Sequence, residues 1–196
     1  MIGNLLGLAG LALGWRRSVW SWPVQLLSGV VLAGAYLSGH LPGLVGKQLI
    51  VIVTAIWGWS RWQRGIRDTG AIAVRFASWK ERALLVGATA LLTVAAALIF
   101  TQFPWMSWSP WSDAYIFVGT LAAMVAQARG WVEFWFAWIA VDLVGVPLAF
   151  NSGYTFSGLT YSIYFVLVLL GLRAWWLRSR APRNASTAPN LQGAPA

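Results

Sequence analysis

The chain has 196 residues, of which 59% are hydrophobic and 10% charged, and a formal net charge of +9. A soluble domain carries about 25% charged residues, so this composition excludes a water-soluble globule. Cysteine is absent, which removes disulfides, thiolate metal sites and cysteine nucleophiles.

A bilayer core of roughly 30 Å is crossed by about 20 mostly apolar helical residues. Such stretches fall at 2–14, 19–38, 45–62, 83–102, 113–128, 132–150 and 157–177. The first, within "MIGNLLGLAGLALGW", is short and has the length of a signal-peptide core. It lacks a basic start and a small-residue cleavage site before the arginines, and it is read as a helix; without it six spans remain.

Alternating spans sort the charge. One side receives Arg16, Arg17, Arg61, Arg64, Arg67, Arg75, Lys80, Arg82, Arg129, Arg173, Arg178, Arg180 and Arg183, thirteen of the fourteen Lys and Arg residues; Lys47 alone lies opposite. Positive charge beside span ends stays cytoplasmic, which predicts an outer N-terminus and an inner C-terminus. Nucleic acid would impose no such sorting, so the basic balance points to the lipid bilayer as partner and not to nucleic acid. The stretch 178–196, with "APRNASTAPNLQGAPA", is small and polar and reads as a disordered cytoplasmic tail.

Shifting the chain by 113 residues superposes Trp22 on Trp135, Gln48 on Tyr161, Gly58 on Gly171 and Trp62 on Trp175. Spans one to three thereby align with spans five to seven. A shift of four spans preserves direction, so the two triplets are parallel repeats, a transporter design that places the substrate site between the repeats. The expected fold is an all-α polytopic membrane protein of seven transmembrane helices, arranged 3+1+3. Residues 1–62 form the first triplet, 63–82 a basic cytoplasmic loop, 83–102 a connecting helix and 103–177 the second triplet.

Soluble-enzyme motifs are missing. "GLVGK" at 43–47 is too short for a phosphate loop, and Gln48 stands where a magnesium-binding hydroxyl belongs. His40 is read as a solvated loop residue. Polar groups inside spans are more informative, because burial in lipid is costly unless they face the bundle interior or a cavity. Gln25, Gln48 and Gln127 are of this kind, and Asp142 is the one acid well inside a span. Asp113 opens span five, where a carboxylate suits a helix N-terminus.

Trp135 and Trp138 precede Asp142 by seven and four residues, so the three share a helix face. A carboxylate beside two indoles suits a ligand with hydroxyls at one end and a flat ring at the other; the alternative is an interhelical clamp. In "WGWSRW" (57–62), Trp59 and Trp62 share a face while Trp57 points elsewhere, dividing the indoles between an interfacial belt and the bundle. Trp105, Trp108, Trp111, Trp175 and Trp176 read as belt residues. Tyr161 and Tyr164 lie away from the terminal belt and are pocket candidates.

"WGWSRWQRG" (57–65), Asp113, "WVEFWFAWIAVD" (131–142) and "GLTYSIYFVLVLLGLRAW" (158–175) resemble, in order and spacing, the Pnu-type vitamin transporters of the PnuC family, from about Leu5 to Trp176. The resemblance implies a SWEET-like seven-span fold, a homotrimer in a bacterial inner membrane, and facilitated diffusion of a vitamin with no cofactor and no enzymatic step. Nicotinamide riboside, trapped inside by a kinase, is the expected substrate; riboflavin, thiamine or a deoxynucleoside is the alternative, as is proton coupling through Asp142. Carried over by position, the substrate-binding candidates are Gln48, Trp59, Trp62, Trp135, Trp138, Asp142, Tyr161 and Tyr164. The family often has asparagine where this chain has Asp142.

Overall fold

The structure is a computed structural model, and it describes residues 2–38, 42–70, 72–103, 105, 107, 109–151 and 155–179. Seven helices run along it: α1 (Ile2–Trp15), α2 (Ser21–Ser38), α3 (Pro42–Thr69), α4 (Trp79–Gln102), α5 (Pro110–Ala128), α6 (Glu133–Asn151) and α7 (Thr155–Ser179). Among the described residues the only β pairing is a single parallel bridge between Arg75 and Trp131. His40, Trp108 and the tail from 180 lie outside the described residues.

The helices match the expected spans closely, with one difference. Helix α3 does not stop at residue 62 but runs seven residues further into the expected basic loop. Arg and Gln are good helix formers, and Arg64 and Thr69 also bond back one turn, to Ser60 O and Gly65 O. Termination comes at Gly70, whose φ of +72° carries the chain out of the helix while its N–H bonds Ile66 O.

Six helices close into a ring. Within each triplet α1 packs on α2 and α2 on α3, then α5 on α6 and α6 on α7; the triplets meet where α3 packs on α5 and α7 on α1. Helix α4 stands outside the ring against α5. Only 11% of its apolar stretch is buried, and among the described residues it is the one helix long and apolar enough to cross a membrane by itself. Among the described residues α1 and α7 supply shorter apolar stretches, Leu5–Trp15 and Ser162–Leu177.

The repeat is visible bond by bond. At the end of α1, Arg17 N bonds Gly14 O and Ser18 N bonds Leu13 O; at the end of α5, Gly130 N bonds Gln127 O and Trp131 N bonds Ala126 O. These are Schellman closures, 113 residues apart, with the left-handed position held by Arg17 (φ 58°) and by Gly130 (φ 68°). Trp22 then inserts against the backbone of Gly58, and Trp135 against that of Gly171. Any Cβ at either glycine would collide with the indole, so close approach is why glycine stands at both. Trp22 meets Trp62 edge-on (5.4 Å, 90°), and Trp135 meets Trp175 likewise (5.8 Å, 84°).

The two triplets are also tied across each other. Trp62 Nε1 donates to Gln127 O at 3.0 Å, and Trp175 Nε1 donates to Trp15 O at 3.1 Å. Each third helix of a triplet thus holds the carbonyl end of the other triplet's first helix. Trp175 is accordingly fully buried and not an interfacial belt residue, because its indole N–H is used inside the protein. Trp105 and Trp111 are exposed, as a belt requires.

Residues 72–78 cross the same end of the molecule. Arg75 N and O pair with Gly130 O and Val132 N, both at 3.0 Å. Glu133 accepts from Ala77 N (3.0 Å) and from Arg82 Nε (2.7 Å). Ser78 and Glu81 then form a reciprocal capping box that starts α4.

Candidate functional site

A cavity of about 450 Å³ lies inside the ring, walled by all six ring helices and by none of α4. Its polar wall comes from Gln25, Ser28 and Tyr36 of α2, Gln48 of α3, Thr120 and Gln127 of α5, and Asp142 of α6. Trp138 and Tyr164 supply aromatic surface, and Leu11, Leu32, Val51, Ile116, Met124 and Val141 the rest of the apolar wall.

The polar side chains are held by local geometry. Gly7, Gly10 and Gly14 lie on one face of α1, where Tyr164, Gln25 and Gln127 press against the helix backbone. Small residues at helix contacts allow this close approach within a membrane. Gln25 Nε2 donates to Gln127 Oε1 at 3.3 Å, joining the two triplets across the cavity. The Gln127 Nε2 group has no hydrogen-bond partner among the described residues, nor have Trp138 Nε1 and Asp142 Oδ2. Asp142 is only 2% exposed. Buried polar atoms are normally satisfied, so two donors and an acceptor left over on one cavity wall suit a polar ligand.

The eight residues singled out from the sequence divide. Gln48, Trp138, Asp142 and Tyr164 come together on the cavity wall. Trp59 is half-buried against the hydrophobic core, and Trp62 and Trp135 are buried in the indole contacts described above; none of these three lines the cavity. Trp135 shares its helix face with Asp142 only loosely, because it turns toward Phe134 and Trp175. The side chain of Tyr161 lies outside the described residues. Asp113 does not cap α5: Ser109 occupies that position, and Asp113 instead accepts from the Ser107 hydroxyl.

Gln25, Ser28, Tyr36, Thr120 and Gln127 were not among the eight, although Gln25 and Gln127 stood out in the sequence as polar groups inside spans. The repeat offset carried a signal for part of this wall: it places Gln25 on Trp138, Gly29 on Asp142, Val51 on Tyr164 and Gly7 on Thr120. The cavity therefore lies along the pseudo-twofold axis, with chemically unlike residues at matched positions. Nothing in hydropathy marks Ser28 or Thr120, since single hydroxyls are common in membrane helices.

A ring of two parallel helical triplets around a buried, part-polar cavity is the architecture of a membrane carrier for a small molecule. The family model for the nicotinamide mononucleotide transporters matches residues 1–177. The chain belongs to this family, the Pnu-type vitamin transporters. It is 59% identical over 198 residues to the riboflavin/roseoflavin transporter RibM of Streptomyces davaonensis, an alignment spanning 100% of this chain and 91% of the relative. The fold is that of the crystal structure of the vitamin B3 transporter PnuC, with a TM-score of 0.72 at 17% identity, covering 91% of this chain and 80% of that one. It is a membrane transporter of a small-molecule vitamin.

Proposed function

We propose that the chain carries riboflavin across the membrane by facilitated diffusion, with uptake drawn inward by phosphorylation of the vitamin inside the cell. The observation that carries this reading is the cavity wall, read together with 59% identity to a transporter named for riboflavin and roseoflavin. At about 450 Å³ the cavity falls within the range of about 300–1,000 Å³ for small-molecule sites. Trp138 and Tyr164 offer aromatic surface to the flat flavin ring. Gln25, Gln48, Gln127 and Asp142 offer both donors and acceptors to its imide edge and its hydroxylated chain.

Nicotinamide riboside is the second reading. Asp142 favours it, because a buried carboxylate attracts a pyridinium cation and an indole face adds about 0.5–2 kcal/mol of cation–π attraction. Uptake into proteoliposomes decides between them. Saturable uptake of labelled riboflavin, unaffected by excess nicotinamide riboside and by an imposed pH gradient, is expected; saturable uptake of nicotinamide riboside alone would reverse the order. Dependence on the pH gradient would favour proton coupling through Asp142.

The proposed orientation has the basic ends of the helices inside. With no native cysteine, Ser38→Cys and Gln63→Cys report it directly. An impermeant maleimide added to intact cells labels the first and not the second.

A further inference from the structure

A second cavity, of about 370 Å³, opens at the basic end between the extension of α3 and the α5–α6 turn. Arg61 and Arg64 line it from α3, Arg129 from the turn, and Ile72 and Ala73 close one side. Trp62 forms part of its floor, and the Trp62 bond to Gln127 O is part of the layer between this groove and the central cavity, whose wall includes Gln127. Asp68 is the one carboxylate on the lining, so the groove carries three positive charges against one negative.

None of the three guanidiniums is ion-paired among the described residues: the two ion pairs are Arg75–Glu81 and Arg82–Glu133. Arg64 is turned back to Ser60 through Nε and Nη2 (3.3 and 3.5 Å), and Arg129 lies over the Trp131 ring at 4.9 Å. Charge sorting by side accounts for arginine at this end of the bundle. It does not account for three of them converging on one groove from two separate elements while both ion pairs at this end are made elsewhere.

We propose that this groove binds phosphate. Guanidinium forks pair with phosphate oxygens through two parallel hydrogen bonds, and the net charge of the lining matches a monoester dianion or a phosphodiester better than a lone carboxylate. Two sources share this chemistry. One is the headgroup of an anionic phospholipid, which the groove would meet at the membrane surface. The other is a soluble phosphate monoester, including the phosphorylated vitamin itself; this second source rests on the uptake reading above.

Calorimetry on the full chain in neutral detergent tests it, with inorganic phosphate, riboflavin 5′-phosphate and dihexanoyl phosphatidylglycerol as probes. Saturable binding of at least one probe is expected, weakened at least tenfold in Arg61→Gln/Arg64→Gln and in Arg129→Gln, and partly restored by lysine at the same positions. Unchanged helical circular dichroism and melting in the variants separate lost binding from lost fold. Binding of the monoesters without the lipid identifies a soluble ligand, and the reverse identifies a headgroup. No saturable binding of any probe to the wild type, or binding indifferent to the arginine replacements, overturns the proposal. Failure of riboflavin itself to bind leaves this result untouched, because no groove arginine lines the central cavity.

Discussion

At the scale of single residues the informative positions are an acid and two glycines. Asp142 is buried on the cavity wall with Oδ2 unpartnered among the described residues. Its near-isosteric replacement Asp142→Asn keeps the shape and removes the charge. Hydrogen bonds to charged groups contribute about 1.5–3 kcal/mol, and each 1.4 kcal/mol is tenfold. The expected outcome is folded protein with vitamin affinity lowered about 10- to 100-fold, read by ligand-induced thermal shift. Gly58 and Gly171 fail for a different reason. A methyl group at either would meet the Trp22 or Trp135 benzo ring, and overpacking of this kind costs about 1–3 kcal/mol. Gly58→Ala and Gly171→Ala should each lower the melting temperature, and adding Trp22→Phe should recover part of the loss for Gly58→Ala alone.

At the scale of elements, the two equivalent turns show how one backbone solution meets different surroundings. Arg17 and Gly130 hold the same left-handed position. A Cβ at Gly130 would strike the Ala73 carbonyl, because residues 72–78 cross this turn, whereas a side chain already stands at position 17. Gly130→Ala should therefore destabilise the protein by more than the roughly 1 kcal/mol of left-handed strain alone, while Arg17→Ala meets no such collision and should cost only about 1.5 kcal/mol in denaturant titration, for the lost Nη1 bond to Ile72 O. The start of α4 carries a pH dependence of its own, ahead of the apolar stretch that begins at Ala83. The Arg75 fork and the Ser78 backbone N–H hold the Glu81 carboxyl down at about 2. A carboxyl depressed on folding contributes stability that is complete above its unfolded value near 4.5 and is lost as pH falls through about 2. The Glu81 titration, followed by carboxyl chemical shift in the detergent-solubilised protein, should accordingly show its midpoint near pH 2, and Arg75→Gln should move it upward.

For the molecule as a whole, the crossed indole bonds are what make two triplets one ring. Trp62 and Trp175 each fasten the other triplet's first helix at its carbonyl end. Phenylalanine keeps much of the edge-on packing and deletes the donor. A net hydrogen bond contributes about 0.5–1.5 kcal/mol, and the smaller ring also gives up part of its buried packing. Trp62→Phe and Trp175→Phe should each destabilise by about 1–2 kcal/mol in denaturant titrations. The double variant should exceed their sum if the two bonds together hold the ring closed. Placing the cavity inside this ring leaves α4 outside it, with its apolar stretch largely exposed on the surface of the bundle.

Much of this was legible in the chain. Helix positions followed from runs of apolar residues, since length and apolarity are local and additive. The 113-residue repeat followed from glycine and tryptophan, which recur at matched positions where each indole sits against bare backbone. Asp142 stood out because a buried carboxylate is rare in a span. What the chain did not disclose was the direction of each indole. Trp59, Trp62, Trp135 and Trp138 have the same composition and similar spacing, yet only Trp138 reaches the cavity wall. The others are claimed by core packing, a glycine and a carbonyl from distant segments. Contacts between residues more than a hundred positions apart, such as Gln25 with Gln127 or Trp175 with Trp15, depend on how the triplets close on each other, and helical periodicity within one segment carries no record of that closure.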